Sequence, residues 1–190
     1  MATHKIEAIV IGVSQGGLDA LNILLPLLPN DFDKPIMIVQ HRSADSDGYL
    51  SEHLNLISQV HVKEAEDKEV IQPGTVYIAP ADYHLLVEKN ASLSLSCDER
   101  VNYTRPSVDV LFESAADCYG NTLLGIILTG NNSDGARGLK TIKDAGGMTA
   151  IQDPLEAIVP SMPNAAKDIT HIDHCLTLQN LGEFLANLPS

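Results

Sequence analysis

The fold is decided by residues 6–28, which read IEAIVIGVSQGGLDALNILLPLL. Residues 6–11 form a short, largely β-branched apolar run, which is typical of a buried strand. A glycine-rich stretch at 12–17 follows, and the spacing of leucines over 17–28 then predicts a helix that packs on a core. A strand that leads directly into a helix is the first half of a β-α-β unit, in which neighbouring strands run parallel.

The alternation of strand and helix patterns continues along the chain. Further apolar runs predict strands at residues 35–40, 60–63, 75–79, 122–128 and 148–152. Helical patterns lie at residues 48–57, 106–118, 134–145, 161–167 and 178–188. Residues 84–87 and 92–96 flank Asn90-Ala91 and predict an antiparallel hairpin. We therefore predict an α/β fold: a three-layer α/β/α, doubly wound, mostly parallel sheet with one antiparallel hairpin.

The composition excludes several classes of protein. The chain has 190 residues, of which 44% are hydrophobic and 19% charged, and this is enough apolar material for one folded domain rather than a disordered chain. No run of about 18 apolar residues is present, so no membrane-spanning helix is expected. The first residues lack the features of a signal peptide, and the expected location is the cytoplasm.

The charge and the cysteine content disfavour some partners and cofactors. Lysine and arginine number 12, aspartate and glutamate 25, and the formal net charge is −13; such a chain repels the phosphates of nucleic acids. Three cysteines without paired spacing indicate neither a disulfide framework nor a zinc site. His171, Asp173 and His174 are weak evidence for a metal ion. We expect no metal, no cofactor, no nucleic-acid partner and no membrane insertion.

The motif Gly12-Val-Ser-Gln-Gly16 has the G-x-S-x-G form of a nucleophile elbow. Small residues permit the sharp turn that raises the hydroxyl of Ser14 above the sheet, where amides at the helix N-terminus can meet an oxyanion. Two other interpretations stay open: a simple tight turn, or a glycine turn that binds a small anion. A dinucleotide fingerprint fits less well, because it needs glycine where Ser14 stands.

Two other predicted strand ends carry matching chemistry. His41 directly follows the strand at 35–40, and a strand paired beside the first brings its imidazole near Ser14, where a general base must lie. Asp134 follows the strand at 122–128 and either caps the next helix or orients His41. Since the carboxyl ends of these strands meet at one edge of the sheet, the sequence predicts a triad of Ser14, His41 and Asp134. The serine, histidine, aspartate order differs from that of α/β-hydrolases.

Several ordered motifs resemble those of one enzyme family. They are Ile11-Gly-Val-Ser-Gln-Gly-Gly17, Val39-Gln-His41, Val62-Lys-Glu-Ala-Glu-Asp67, Pro73-Gly74, Tyr77-Ile-Ala-Pro80, Arg105-Pro-Ser-Val-Asp-Val-Leu-Phe112, Gly125-Ile-Ile-Leu-Thr-Gly130, Ser133-Asp-Gly-Ala136 and Met162-Pro163. With these motifs the chain resembles, from residue 6 to about residue 176, the catalytic domain of the chemotaxis protein-glutamate methylesterases (the CheB type).

The resemblance implies a serine hydrolase that removes γ-methyl esters from glutamates on the cytoplasmic helices of methylated chemoreceptors and releases methanol. It also implies deamidation of receptor glutamines as a second activity, and Ser14, His41 and Asp134 as the catalytic triad. Backbone amides near Gln15 or Gly16, and near Asn131, are expected to hold the oxyanion. A separate receiver or chemosensory protein is an expected further partner.

The chain departs from the pattern of that family at several points. Gln15 stands where threonine is frequent, and Asn131-Asn132-Ser133 stands where Met-Gly-Asn is frequent, so side-chain contacts to substrate are expected to differ. Members usually carry a receiver domain upstream, whereas residues 1–190 are expected to form a single catalytic domain without one. A catalytically silent docking module of a chemosensory complex is the alternative function. Arg105 either attracts an acidic receptor segment or has a structural role beside Pro106.

Overall fold

A central parallel sheet organises the computed structural model, which describes residues 5–189. Within these residues the strands are β1 (Ala8–Val13), β2 (Ile36–Gln40), β3 (His61–Glu64), β4 (Thr75–Ile78), β5 (His84–Val87), β6 (Leu93–Ser96), β7 (Leu123–Ile127), β8 (Met148–Gln152) and β9 (His174–Leu176). The α-helices are α1 (Gly17–Leu24), α2 (Tyr49–Ile57), α3 (Val108–Tyr119), α4 (Ala136–Asp144), α5 (Ser161–Ile169) and α6 (Leu178–Ala186).

The sheet has the order β3-β4-β2-β1-β7-β8-β9, and every pair in it is parallel. The strands β5 and β6 form a separate antiparallel hairpin. Because each parallel connection crosses over the sheet, helices cover both of its faces. The predicted doubly wound α/β fold with one antiparallel hairpin is confirmed.

The strand β1 lies at the centre, paired with β2 on one side and β7 on the other, and all six of its residues are buried. Its side chains alternate between two cores, as the pleat of a strand requires. Ile9 and Ile11 join the core that includes residues of α1, α2 and α6. Ala8 and Val10 join the core that includes residues of α3, α4 and α5. Burial on both faces explains why this strand is apolar at successive positions.

The structure differs from the prediction at some element ends. The helix predicted at 17–28 ends as an α-helix at Leu24 and continues as a 3₁₀ turn over Leu25–Leu27; Pro26 has no amide hydrogen to continue the α-helical bonding. The strand β9 was not predicted, because Cys175 is exposed and its two neighbours are only partly buried at the sheet edge, so they make no apolar run.

The helices predicted to start at residues 106 and 134 begin two residues later, at Val108 and Ala136. Gly135 precedes α4 with a left-handed φ of 93°, so Asp134 lies outside the helix. Its carboxylate reaches the N-terminus of α3 instead, where it accepts a hydrogen bond from the amide of Val108 at 2.7 Å. No helix within residues 5–189 is long and apolar enough to cross a membrane.

Candidate active site

The carboxyl ends of three neighbouring strands bring the predicted triad segments together. Val13 of β1 pairs with Gln40 of β2, and the amide of His41 donates to the carbonyl of Val13 at 3.1 Å. Ser14 and His41 therefore lie one residue beyond this pairing, at adjacent strand ends. The amide of Ser14 donates to the carbonyl of Thr129, which follows β7, at 2.9 Å. The loop that carries Asp134 thus leaves the sheet next to the serine.

His41 contacts the predicted acid directly. Its Nε2 lies 2.8 Å from Oδ2 of Asp134. The side chain of Asp134 is 0% exposed and that of His41 10% exposed, so little solvent weakens this contact. The other ring nitrogen, Nδ1, lies 3.1 Å from Nδ2 of Asn132. The hydroxyl of Ser14 has no hydrogen-bond partner among residues 5–189.

The carboxylate of Asp134 is surrounded by donors. Its Oδ1 accepts from the Ser107 hydroxyl at 2.8 Å, the Asn102 amide at 2.8 Å and the Asp109 backbone amide at 3.1 Å. Its Oδ2 accepts from the Val108 amide at 2.7 Å and the Thr104 hydroxyl at 3.3 Å, besides facing His41.

These hydrogen-bond donors keep the carboxyl group of Asp134 ionised. Burial alone raises the pKa of Asp134, but hydrogen bonds from His41, Val108, Asn102 and Ser107 outweigh it and lower the pKa from 3.8 to about 2. The group is therefore an anion at neutral pH. An ionised carboxylate on Nε2 favours the tautomer with its proton on Nε2, and it stabilises an imidazolium when one forms.

A second buried acid, Asp109, supports the first. The Nδ2 group of Asn102 lies 2.8 Å from Oδ2 of Asp109 and 2.8 Å from Oδ1 of Asp134, so one amide bridges the two carboxylates. Burial raises the pKa of Asp109, and the charge of Asp134 adds to the rise, while bonds from Gly138 and Asn102 oppose it. The sequence patterns did not indicate a role for Asn102, Thr104, Ser107 and Asp109, although the motif over 105–112 contains two of them.

Gln40 holds the backbone of both Ser14 and His41, a role that the sequence patterns did not indicate. Its Nε2 donates to the carbonyl of Ser14 at 2.9 Å and to the carbonyl of His41 at 2.9 Å. Gly17 leaves room for this amide, since a Cβ there would lie 1.8 Å from the Oε1 atom of Gln40. The Val39-Gln-His41 motif contains this glutamine. That its amide reaches the two carbonyls depends on the pairing of β1 with β2, which the motif does not show.

The backbone positions expected to hold an oxyanion lie around Ser14. The amides of Gln15, Gly16 and Asn131 have no hydrogen-bond partner in the part of the chain that the structure describes, whereas the amide of Gly130 donates to Val159 at 3.0 Å. Gly16 has a left-handed φ of 80° immediately before α1. The unpaired amides of Gln15 and Gly16 at the N-terminus of α1, and that of Asn131 in the loop after β7, are suited to a developing negative charge.

A cavity of about 300 Å³ opens beside His41, lined in part by Arg42, Arg100 and Arg105. Arg105 pairs with Asp82 at 2.8 Å and donates to the carbonyl oxygens of Cys97 and Asp98 at 2.7 and 3.0 Å. Of the two roles predicted for Arg105, these contacts favour the structural one. Arg42 is paired with Glu64 and also donates to the carbonyl of Ala79 at 3.1 Å.

The metal hypothesis at His171 and His174 gains no support from the geometry. His171 lies 3.8 Å from Asp173, and the ring of His174 packs against Phe184 instead. Across residues 5–189, no group of three or more histidine, cysteine, aspartate or glutamate side chains is arranged to hold a metal ion.

Comparisons with known proteins point to one family. The sequence profile described as CheB methylesterase matches residues 9–185. A protein of Leptospira interrogans with a provisional protein-glutamate methylesterase/protein-glutamine glutaminase name is 51% identical over 182 residues, which are 96% of this chain and 94% of the relative. The protein-glutamate methylesterase/protein-glutamine glutaminase of Archaeoglobus fulgidus is 42% identical over 87% of this chain and 48% of its own length.

A solved structure shows the same fold. The crystal structure of the Thermotoga maritima CheB methylesterase catalytic domain superposes with a TM-score of 0.92 and 34% sequence identity, and it covers 97% of this chain and 100% of the other. The profile match spans most of this chain, and the two relatives align with 96% and 87% of its residues. The chain belongs to the CheB methylesterase family.

Proposed function

We propose that this chain is a serine hydrolase that demethylates glutamate γ-methyl esters on chemoreceptors, with Ser14 as nucleophile, His41 as general base and Asp134 as the acid that orients it. One observation carries the assignment of roles: a buried, ionised Asp134 lies 2.8 Å from Nε2 of His41, and His41 follows the strand beside Ser14. The names of the relatives support the substrate.

The first half of the reaction uses Nδ1 of His41, because Nε2 is held by Asp134. Nδ1 accepts the proton of the Ser14 hydroxyl as Oγ attacks the γ-carbonyl carbon of the ester. The carbonyl electrons move to the oxygen, which the amides of Gln15, Gly16 and Asn131 are placed to hold. Collapse of the tetrahedral intermediate breaks the bond to methoxide, and Nδ1–H protonates it to methanol. Most serine triads use Nε2 for this transfer, so the two ring nitrogens exchange roles here.

The second half returns the enzyme to its resting state. A water molecule gives a proton to Nδ1 and attacks the acyl carbon, and Ser14 leaves with that proton while glutamate is released. The same steps act on a receptor glutamine, with ammonia in place of methanol, and account for the second activity. The proposed substrate lies on the cytoplasmic helices of chemoreceptors, and the proposed location of the enzyme is therefore the cytoplasm. A separate receiver or chemosensory protein is the proposed regulatory partner.

A catalytically silent docking module is the alternative, and two observations disfavour it. An ionised Asp134 faces a ring nitrogen of His41 at 2.8 Å, an arrangement that orients a general base and that docking does not require. The family described by the matching profile is named for its methylesterase.

The test is methanol release from methylated chemoreceptor fragments. We expect release by the intact protein and a fall of roughly 10⁴-fold in Ser14→Ala. Ser94→Ala, at a serine of β6 that bonds Glu88 and no residue of the proposed triad, serves as the control and should keep the rate of the unaltered protein. Equal release by Ser14→Ala and the control would contradict the assignment of the nucleophile. Reaction of Ser14 with a phosphonate but no release from any receptor would leave a hydrolase with another ester as substrate.

A further inference from the structure

The two ring nitrogens of His41 face partners with fixed roles. Nδ1 lies 3.1 Å from the Nδ2 group of Asn132. The Oδ1 atom of the same Asn132 amide accepts the backbone N–H of Asp134 at 2.9 Å. Because that bond needs the oxygen on its side of the amide, the NH₂ group is the part that faces the imidazole. It donates to Nδ1, so Nδ1 carries the lone pair and the ring proton is on Nε2.

This contact occupies the atom that the reaction needs. A neutral imidazole has one nitrogen that accepts, through a single in-plane lone pair. The hydroxyl of Ser14 must reach that lone pair to transfer its proton, and in this structure it has no partner within residues 5–189. Once Nδ1 has taken a proton, the NH₂ group would face a second donor. The Asn132 amide must therefore move away before Ser14 can react.

The loop that contains Asn132 holds its side-chain amide next to His41. Glycine at this position would have no side chain to reach the ring, whereas the amide of Asn132 lies 3.1 Å from Nδ1. Asn132 is half-buried, in a loop between Gly130 and Gly135, and its Oδ1 bond holds the amide in place. The contact is thus built into the loop that also carries the acid.

We propose that Asn132 is a base cap: its amide holds Nδ1 of His41 in the resting enzyme, and the substrate displaces it before Ser14 gives up its proton. Asn132 is a positioning residue that acts through His41 and slows the activation of Ser14. The inference rests on the proposed function, because it takes His41 as the base for Ser14.

The experiment measures how fast a fluorophosphonate labels Ser14 in the full chain. In this reaction Oγ bonds to phosphorus, fluoride leaves and the serine proton passes to Nδ1, so no receptor is needed. Two variants remove the base cap: Asn132→Gly, and Asn132→Ser, whose hydroxyl can still accept from Asp134 N–H but is too short to reach Nδ1. Ser94→Ala is the control, since the hydroxyl of Ser94 on β6 bonds Glu88 and contacts neither His41 nor the loop of Asn132.

We expect both Asn132 variants to be labelled about twofold to tenfold faster than the unaltered protein, the factor for one hydrogen bond that no longer has to be broken. The Ser94→Ala control should keep the original rate. Equal rates in all four proteins overturn the base cap. Slower labelling of both Asn132 variants also overturns it, and assigns the amide to stabilising the reaction instead.

A second measurement separates this proposal from the proposed function. The ¹⁵N resonance of Nδ1 in the resting protein reports its hydrogen bond directly, so it should move between the unaltered protein and Asn132→Ser. A merely structural role of Asn132 would leave it unmoved, and that result overturns the base cap. If Ser14 is labelled in none of the proteins, the proposed function fails, and the Nδ1 resonance alone still decides for or against the contact.

Discussion

Asp134 and Asp109 form a reciprocal pair at the starts of two helices. Asp109 lies in the first turn of α3 and Asp134 just before α4, and the carboxylate of each accepts hydrogen bonds from backbone amides at the start of the other helix. Asp134 accepts from the amides of Val108 and Asp109 at 2.7 and 3.1 Å, at the start of α3. Asp109 accepts from the amides of Gly135 and Gly138 at 3.0 and 2.6 Å, at the start of α4. Carboxylates at helix N-termini are favourable for the free amides and for the helix dipole. The proposed catalytic acid is therefore also a joint between two helices.

Replacing the two acids should separate these roles. Asp134→Asn puts an NH₂ group among donors, and we expect it to lower the free energy of unfolding by about 2–4 kcal/mol and esterase activity by roughly 10⁴-fold. Asp109→Asn should destabilise to a similar extent and lower activity far less, because Asp109 does not contact His41. Urea unfolding and phosphonate labelling measure the two effects. Equal activity in both variants would contradict the role of Asp134.

The stability should depend on pH through Asp134. Its pKa is lowered from 3.8 to about 2 in the folded state, so its contribution is complete above its unfolded pKa and is lost as pH falls towards its folded pKa. Between pH 5 and pH 3 this amounts to about 1 kcal/mol. Asp109 acts in the opposite sense, because burial raises its pKa. Urea unfolding at both pH values should give a smaller loss in Asp134→Asn than in the unaltered protein; an equal loss would refute this origin.

Gln40→Met should reduce activity without unfolding the chain. The substitution keeps the length of the side chain but removes the donor to the carbonyls of Ser14 and His41. Small misplacements of reacting groups are costly, and we expect labelling of Ser14 to slow by about 10- to 100-fold. Gln72→Met, at the amino end of β4, is the matched control and should react normally. Normal labelling of Gln40→Met would show that the sheet alone fixes the two backbones.

Gly130→Ala should displace the side chain of Ser14 and slow its labelling. A Cβ at this position would lie 2.0 Å from Sδ of Met162 and 2.8 Å from Cβ of Ser14. Overpacking of this kind costs about 1–3 kcal/mol, and the shift of Ser14 should abolish most labelling. Gly48→Ala is the control, because a Cβ there meets nothing within 4 Å. If thermal unfolding and labelling of Gly130→Ala match those of Gly48→Ala, the close approach does not constrain the site.

Much of the fold was predictable because the central strands are apolar on both faces. The strands β1, β2 and β7 are buried along nearly their whole length. Burial on both faces requires apolar residues at successive positions, and such a short continuous apolar run is easily recognised as a strand. The strand β9 was missed for the opposite reason, since it lies partly exposed at an edge. That residues 1–190 form one catalytic domain without a receiver stays a prediction.

The site was predictable only where a residue follows a strand. Ser14 and His41 lie at ends that the parallel register places side by side. The donors to Asp134 were not predictable, because they come from the loop before α3, whose path depends on the left-handed φ of 52° at Asn102. Asn132 was recognised as a departure, but the partner of its amide depends on a hydrogen bond to Asp134 N–H that no spacing rule describes.

The distances along the chain between contacting residues bear on when activity appears during folding. Gln40 and Ser14 are 26 residues apart, whereas His41 and Asp134 are 93 residues apart. Contacts that are local in sequence form early, and those that close long loops form late. The serine and histidine can therefore come together while the acid is still far away. Until the segment that carries Asp134 has joined the sheet, a refolding chain holds Ser14 and His41 without the proposed acid, so esterase activity should appear after the pairing of β1 with β2.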